Sequence, residues 1–142
     1  MLVRMLYASR STGPLTSQVI ESILSQCRRN NPERGITGVL CHSDDIYLQV
    51  LEGGRDAVCD LLGTIIADTR HANLRIVLFE EISERRFGSW TMGQVNMSRV
   101  NASLLLKYSE TAQLNPFNVP GRASLALLEE LIATGAVIGR AG

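Results

Sequence analysis

The 142-residue sequence lacks several features that would place it in a common class of protein. Its 14 basic and 14 acidic residues cancel, so no overall charge would attract it to nucleic acid or to an anionic membrane. No apolar run approaches the length of a membrane span, and no signal peptide opens the chain. These absences predict a cytoplasmic protein with no direct nucleic-acid or membrane partner.

Cysteines and catalytic motifs are also scarce. The three cysteines, Cys27, Cys41 and Cys59, show no CxxC spacing, which predicts reduced thiols rather than disulfides or a zinc site. The sequence contains no P-loop, no GxSxG and no GxGxxG motif. His42 and His71 stand apart, and no carboxylates are paired for acid-base work. We therefore expect neither a metal site nor an enzyme.

The most informative stretch is RGITGVLCHSDDIYLQVLE, from Arg34 to Glu52. Two apolar runs, Ile36–Cys41 and Ile46–Leu51, flank four turn-forming residues, a pattern typical of a β-hairpin. Both faces of the second strand are apolar apart from Gln49, which predicts a central, covered strand. A buried amide needs partners. Gln49 is therefore bonded to a turn or a water, or it faces the polar edge of a ligand.

The remaining pattern predicts an α+β fold with a ferredoxin-like βαββαβ sheet, two helices on one face, a fifth strand and C-terminal helices. Strands one and three are expected side by side and parallel, with Tyr7 next to Gln49 near their carboxyl ends and beneath the gap between the helices. Asn30-Asn31-Pro32 is expected to stop the first helix. The other predicted elements are strands at Met1–Ala8 and Leu74–Ile82, helices at about Thr16–Cys27 and Asp56–Asp68, and an edge strand at Trp90–Val95.

The C-terminal part has a different character. Short helices are predicted at Val100–Tyr108 and Ala123–Thr134, and the apolar arc of the second is too broad for a free surface helix. We expect it to cover the opposite face of the sheet, or a partner subunit. The predicted organisation is one compact domain at 1–97 with a helical extension at 98–142 that is not an independent domain.

Polar residues gather around one predicted pocket. Each has an ordinary structural explanation, such as a helix end before Pro32 for Asn31 or a strand aromatic for Tyr7. Together they describe a neutral, amide-rich site between aliphatic walls that suits a flat heteroaromatic ring with imide-like edges. The candidates are Tyr7, Asn30, Asn31 and Gln49, with walls from Ile23 and from Ile65 or Ile66.

At these residues the sequence strongly resembles the BLUF family, blue-light sensors that use FAD. The resemblance spans about two-thirds of the chain, in family order, and implies a short member without an enzymatic output domain. The segments that carry it are Leu6-Tyr7-Ala8-Ser9, Asn31, Gly35-Ile36-Thr37-Gly38-Val39-Leu40, Leu48-Gln49-Val50-Leu51-Glu52-Gly53, Asp68-Thr69-Arg70-His71, Arg86-Phe87 and Trp90-Thr91-Met92-Gly93.

The resemblance also implies roles for individual residues. Tyr7 resembles the redox-active tyrosine, and Gln49 resembles the glutamine that bridges it to the flavin. Asn31 resembles the asparagine at the pyrimidine edge of the flavin, with Asn30 beside it. Trp90 and Met92 resemble a pair that exchange places on the fifth strand. The ribityl and phosphate part of FAD is implied to lie against Asp68, Arg70 and His71.

The implied mechanism is a light-driven rearrangement of the hydrogen bonds of Gln49, which shifts flavin absorption slightly to the red. Output is expected to pass through the fifth strand to the C-terminal helices, where Leu125, Leu128 and Ile132 cover the sheet. It would be read by an unknown downstream protein or by a second copy of the chain. No cysteine is placed to form an adduct, so we expect a flavin held without a covalent bond. Two alternatives are an acylphosphatase-like enzyme with a phosphate loop at Ser9–Gly13 and a non-photoactive ligand-binding domain. The colour of the purified protein distinguishes all three.

Overall fold

The structure is a computed structural model that describes residues 1–139. Five strands, four α-helices and one 3-10 turn follow one another along this part of the chain. The elements are β1 (Leu2–Ser11), α1 (Ser17–Arg34), β2 (Thr37–Ser43), β3 (Ile46–Gly54), α2 (Arg55–Ala67), β4 (His71–Ile82), β5 (Gly93–Asn96), the 3-10 turn (Met97–Arg99), α3 (Ala102–Tyr108) and α4 (Gly121–Ala133). No helix among these is long and apolar enough to cross a membrane.

The strands form one sheet in the order β4-β1-β3-β2-β5, which confirms the predicted α+β architecture. A two-residue turn joins β2 to β3, with Asp44 at a positive φ of 51°. The helices α1 and α2 lie on one face of the sheet, where Ile20 and Leu24 share an apolar cluster with Val58. The strand β5 runs parallel to β2 at the sheet edge, as an added fifth strand.

The prediction that strands one and three are parallel was wrong, because β1 and β3 pair antiparallel. The crossover through α1 makes β2 run in the direction of β1, and the tight hairpin then reverses β3. The two strands are nevertheless neighbours, and their register sets Tyr7 directly opposite Gln49. The pair lies within the sheet rather than at the carboxyl ends of both strands.

The first helix is longer than predicted. Thr16 caps its start, since its side chain accepts a hydrogen bond from the backbone N–H of Val19 at 3.2 Å. Asn30-Asn31-Pro32 does not stop it, and the helix runs on to Gly35, whose φ of 67° ends it. Pro32 is tolerated in the last turn because its missing N–H removes only one helical bond there. Asn31 is thereby a buried helical residue.

The helices α3 and α4 cover the sheet face opposite α1 and α2, as one of the two sequence alternatives required. Leu125 and Leu128 share an apolar cluster with Leu6, Leu48 and Val50 of the sheet, and Ile132 packs against its margin. The sheet is therefore covered on both faces, which explains the apolar character of both sides of β3. Of the predicted 98–142 extension, residues 140–142 lie outside the described part.

The segment between β4 and β5 is anchored by one buried carboxylate. Glu52 accepts from the backbone N–H of Phe87 at 2.6 Å and of Arg86 at 3.2 Å, and it pairs with Arg4 at 2.7 Å. The strand β5 begins only at Gly93, so the prediction that Trp90 and Met92 lie on the fifth strand was wrong. Both residues lie in the irregular chain just before it, which frees them from the alternation of a strand.

Candidate functional site

A cavity of about 660 Å³, counted to its open mouth, lies between α1 and α2 with the sheet as its floor. Tyr7 of β1 and Gln49 of β3 form the floor, because both side chains point to the helix side of the sheet. This is the place that the sequence predicted. The full lining is Tyr7, Ile23, Gln26, Cys27, Asn30, Asn31, Arg34, Gln49, Leu61, Thr64, Ile65, Asp68, Arg70 and His71.

Three buried side chains form a continuous polar path along the floor. The hydroxyl of Tyr7 donates to Oε1 of Gln49. On the other side of the amide, Nε2 of Gln49 lies 3.2 Å from Sδ of Met92. A thioether is a weak acceptor, so the amide nitrogen is held far less firmly than the amide oxygen. The amide has one strong partner and one weak one.

Burial raises the pKa of Tyr7 well above its ordinary value, with smaller contributions from Cys27, Tyr47 and Asp68. The phenol is therefore neutral at physiological pH and keeps its proton on the bond to Gln49. Its proton leaves only if the ring becomes far more acidic, for example by losing an electron.

Asn31 has the one buried side-chain nitrogen on the cavity wall that lacks a partner within residues 1–139. The residue is 1% exposed, and its Nδ2 makes no hydrogen bond. An unpaired buried donor costs about 1–3 kcal/mol, so the site favours a ligand that brings a carbonyl acceptor. Ile23, Leu61 and Ile65 supply apolar walls on either side.

The mouth of the cavity carries charge. Arg70 is held by Asp68, with Nη2 to Oδ2 at 2.7 Å, and by Oε1 of Gln26 at 2.6 Å. The bond to Arg70 is the chief reason that the pKa of Asp68 is lowered. Nδ1 of His71 lies 2.8 Å from Oγ of Ser9, and burial lowers the pKa of His71. With Arg34 added, the mouth offers two guanidinium groups to an anionic ligand group.

Most predicted site residues therefore meet in one cavity. Ile66 does not: it is 61% exposed, because one helical step turns it away from its neighbour Ile65. Cys27 also lines the wall, at a position that the sequence analysis assigned only to the apolar face of the first helix. Arg10, the arginine of the Ser9–Gly13 loop, pairs with Asp45 and does not line the cavity.

The lining residues that sequence reasoning missed lie on the two helices. They are Gln26, Cys27 and Arg34 of α1 with Leu61 and Thr64 of α2. On α1 the lining positions recur every three or four residues through the last turn. The predicted helix end at Cys27 hid Arg34, whereas Gln26 and Cys27 lay inside the predicted helix at the spacing of the lining positions.

The switching pair is divided between the two faces of the sheet. Met92 is buried on the cavity side next to Gln49, and Trp90 is buried in the opposite cluster at 8% exposure. The indole Nε1 of Trp90 has no hydrogen-bond partner among the described residues. Met92 is thus the neighbour of Gln49 in this structure, and Trp90 is not.

A family model described as "Sensors of blue-light using FAD" matches residues 2–93. This chain belongs to the BLUF family. Photoactivated adenylate cyclase subunit beta of Euglena gracilis is 34% identical over 92 residues, 64% of this chain and 11% of that protein. The blue light- and temperature-regulated antirepressor BluF of Escherichia coli is 31% identical over 88 residues, 62% of this chain and 22% of that protein. The chain spans about a tenth to a fifth of the length of these two relatives.

Solved structures extend the similarity beyond the family match. The photo-activated state of BlsA gives a TM-score of 0.83 at 31% identity, over 93% of this chain and 95% of that one. The dark state of the BLUF protein BlrB gives a TM-score of 0.75 at 31% identity, over 94% of this chain and 96% of that one. A bacterial light-regulated adenylyl cyclase gives 0.70 at 26% identity, over 95% of this chain and 35% of that one. Shares this large include the C-terminal helices.

The residues present fit FAD, the cofactor of BLUF sensors. The unpaired donor of Asn31 suits a carbonyl of the flavin ring, and the isoleucine walls suit its flat faces. The guanidinium groups at the mouth suit the diphosphate. The exposed Asn30 lies at the same end of α1 as Asn31.

Proposed function

We propose that this BLUF protein senses blue light through the path from Tyr7 through Gln49 to Met92. The observation that carries the proposal is that the amide of Gln49 is bonded on one side to a buried phenol and on the other only to a thioether. Bound flavin supplies the absorption of blue light and an acceptor for one electron. Every other part of the switch is built from this chain.

Tyr7 is the donor side of the switch. Its proton already lies on the bond to Oε1 of Gln49, so loss of an electron from the phenol drives that proton onto the amide. Gln49 then rotates, changes tautomer, or does both; an electron and a proton return to Tyr7, and only the hydrogen bonds of Gln49 remain rearranged. The weak contact between Nε2 and Met92 offers little resistance to this change.

Trp90 and Met92 give the switch a second state. The unpaired Nε1 of Trp90 carries a penalty of about 1–3 kcal/mol, which would be removed if Trp90 moved to the cavity side and donated to the amide oxygen of Gln49. Met92 has no side-chain donor of its own, and the contact that it gives up is the weak one to Nε2 of Gln49. We infer that rearrangement of Gln49 favours exchange of the two side chains across the start of β5.

Output then passes along one cross-strand row. Leu40 of β2 is the register partner of both Gln49 in β3 and Gln94 in β5. Gln94 is in turn bridged to Ile138, with N–H to O distances of 2.8 and 2.9 Å. A shift of β5 therefore reaches the C-terminal segment directly. We propose that a separate protein or a second copy reads this change, and that the chain catalyses no reaction.

The experiment is an absorption spectrum of the FAD-loaded protein before and after blue light. We expect a yellow protein, a reversible red shift and release of unmodified flavin by acid. Tyr7→Phe keeps the ring volume and should retain flavin while losing the shift, and Gln49→Leu should behave likewise. Tyr47→Phe is the matched control, because Tyr47 is buried on the same face without bonding Gln49. A normal red shift in flavin-loaded Tyr7→Phe would refute the mechanism.

A further inference from the structure

A guanidinium group joins the first helix to the chain just before β5. Arg28 lies on α1, and its Nη2 donates to the backbone carbonyl oxygen of Met92 at 3.4 Å. Met92 is also the residue whose Sδ lies 3.2 Å from Nε2 of Gln49. The bond from Arg28 therefore holds the backbone of the side chain that meets the weakly bound end of the Gln49 amide.

The same nitrogen atom also meets the C-terminal segment. Gly139 has a φ of 89°, and a Cβ added to it would lie 2.6 Å from Nη2 of Arg28. That Cβ would lie 3.6 Å from the carbonyl oxygen of Met92. Three separate parts of the chain thus converge on one point, and the glycine leaves the guanidinium room that a side chain would take.

An ordinary surface ion pair does not account for this placement. Nη1 of Arg28 lies 3.9 Å from Oε1 of Glu21, whose side chain is 70% exposed, and such a pair contributes little to stability. The neighbouring Arg29 is exposed, and its side chain makes no hydrogen bond or ion pair within residues 1–139. Of these two adjacent arginines, only Arg28 reaches the backbone beside Gln49.

We propose that Arg28 is a positioning residue of the light switch: its guanidinium holds the carbonyl of Met92, and Gly139 limits where that guanidinium can move. The proposal rests on the proposed function, and it favours the arrangement with Met92 beside Gln49 over the one with Trp90 there. Coupling between two sites is reciprocal. A partner that draws the C-terminal segment away from Arg28 should therefore also change the balance between Met92 and Trp90.

Arg28→Met tests the bond, because it keeps an unbranched side chain and removes the donor. Recovery of the FAD-loaded protein in the dark must return Met92 to Gln49. It should slow by about 2- to 10-fold, the effect of losing one hydrogen bond. In dark NMR spectra the carbonyl-carbon resonance of Met92 should shift, since its hydrogen bond is gone. Arg29→Met is the matched control and should leave both measurements unchanged.

Gly139→Ala approaches the same contact from the other side. Its new Cβ must displace Nη2 of Arg28, so recovery should slow as it does in Arg28→Met. The double variant should recover no more slowly than Arg28→Met, because one bond can be lost only once. Gly135→Ala is the control for backbone strain: Gly135 has a φ of 73°, but a Cβ there meets nothing within 4 Å. Additive slowing in the double variant would overturn the role of Gly139.

The outcomes separate this inference from the proposed function. Wild-type recovery in flavin-loaded Arg28→Met, with a normal red shift, overturns the inference and leaves the proposed function intact. Such a result together with a shifted Met92 resonance would show that the bond only supports the fold. Absence of any red shift in the wild type refutes the proposed function, and the dark spectra then decide the inference alone. An unmoved Met92 resonance in Arg28→Met overturns it.

Discussion

Gly93 is the point where the switch region meets the C-terminal segment, and adding one methyl group there should release that segment. A Cβ at Gly93 would lie 2.5 Å from Cγ1 of Val137 and 2.9 Å from Cδ1 of Trp90. Side chains do not tolerate such contacts, so Gly93→Ala forces one neighbour to move. Val137 is the neighbour that can move, because Ile138 beside it is two-thirds exposed.

The magnitude follows from what holds the segment in place. Two backbone hydrogen bonds join Gln94 and Ile138, each worth about 0.5–1.5 kcal/mol. Overpacking by one methyl group costs about 1–3 kcal/mol, which is the same size. Gly93→Ala should therefore accelerate hydrogen exchange at the amides of Gln94 and Ile138 by about 5- to 100-fold. Global stability should change far less.

Hydrogen exchange resolved at single residues is the assay, with Val137→Ala as the control. That substitution alone should leave the bridge protected, and combined with Gly93→Ala it should restore much of the protection by removing Cγ1. Wild-type exchange at both amides in Gly93→Ala would refute the packing argument. Blue light should accelerate exchange at the same two amides in the wild type. Equal exchange in light and dark would show that output does not pass through this bridge.

Three further predictions test other parts of the structure. Met92→Ala should keep most of the flavin red shift, but weaken the light-dark difference in hydrogen exchange over residues 123–134. Glu52→Gln should lower the free energy of unfolding by about 3–5 kcal/mol in chemical denaturation, because it leaves the buried Arg4 short of a partner. The exposed pair of Arg55 with Glu81 is the control. Glu81→Gln should change the free energy of unfolding by less than about 1 kcal/mol. Because the pKa of Asp68 is lowered from 3.8, mainly by Arg70, the stability from this pair is present above pH 3.8 and lost as pH falls through the lower folded-state value. As the pH is lowered through the acid range, the free energy of unfolding should therefore decrease less steeply in Asp68→Asn than in the wild type.

The floor of the site was predictable because it depends on the simplest rule of a strand. Alternation puts Gln49 and Tyr7 on the helix side of the sheet, and the hairpin signal makes β3 central. The direction of β3 relative to β1 needed one further step. A helical crossover followed by a tight hairpin leaves only the antiparallel arrangement.

The wall of the site was harder to predict because tertiary burial overrode a local signal. Pro32 reads as a helix stop, yet packing of Asn31 at the cavity carries α1 one turn further. Cys27 lay inside the predicted helix, four residues after Ile23, but its position on the apolar face did not distinguish a cavity wall from the core. The placement of Trp90 and Met92 on opposite faces depends on an irregular bend before β5, and no periodicity describes a bend.

The two sides of the sheet are unequal in how firmly they are held, and this sets the direction of any signal from Gln49. On one side, β1 pairs with β4 from Leu2 to Ser11, and a partly buried ion pair of Arg4 with Glu80 at 2.7 Å reinforces that pairing. On the other side, β5 has only four residues and pairs with β2 over Gly93–Asn96. Short pairing opens at lower free energy than long pairing. A rearrangement at Gln49 should therefore move β5 and leave β4 still. Because β5 alone of the two outer strands carries the C-terminal bridge through Gln94, the weaker side of the sheet is also the side that can report the change.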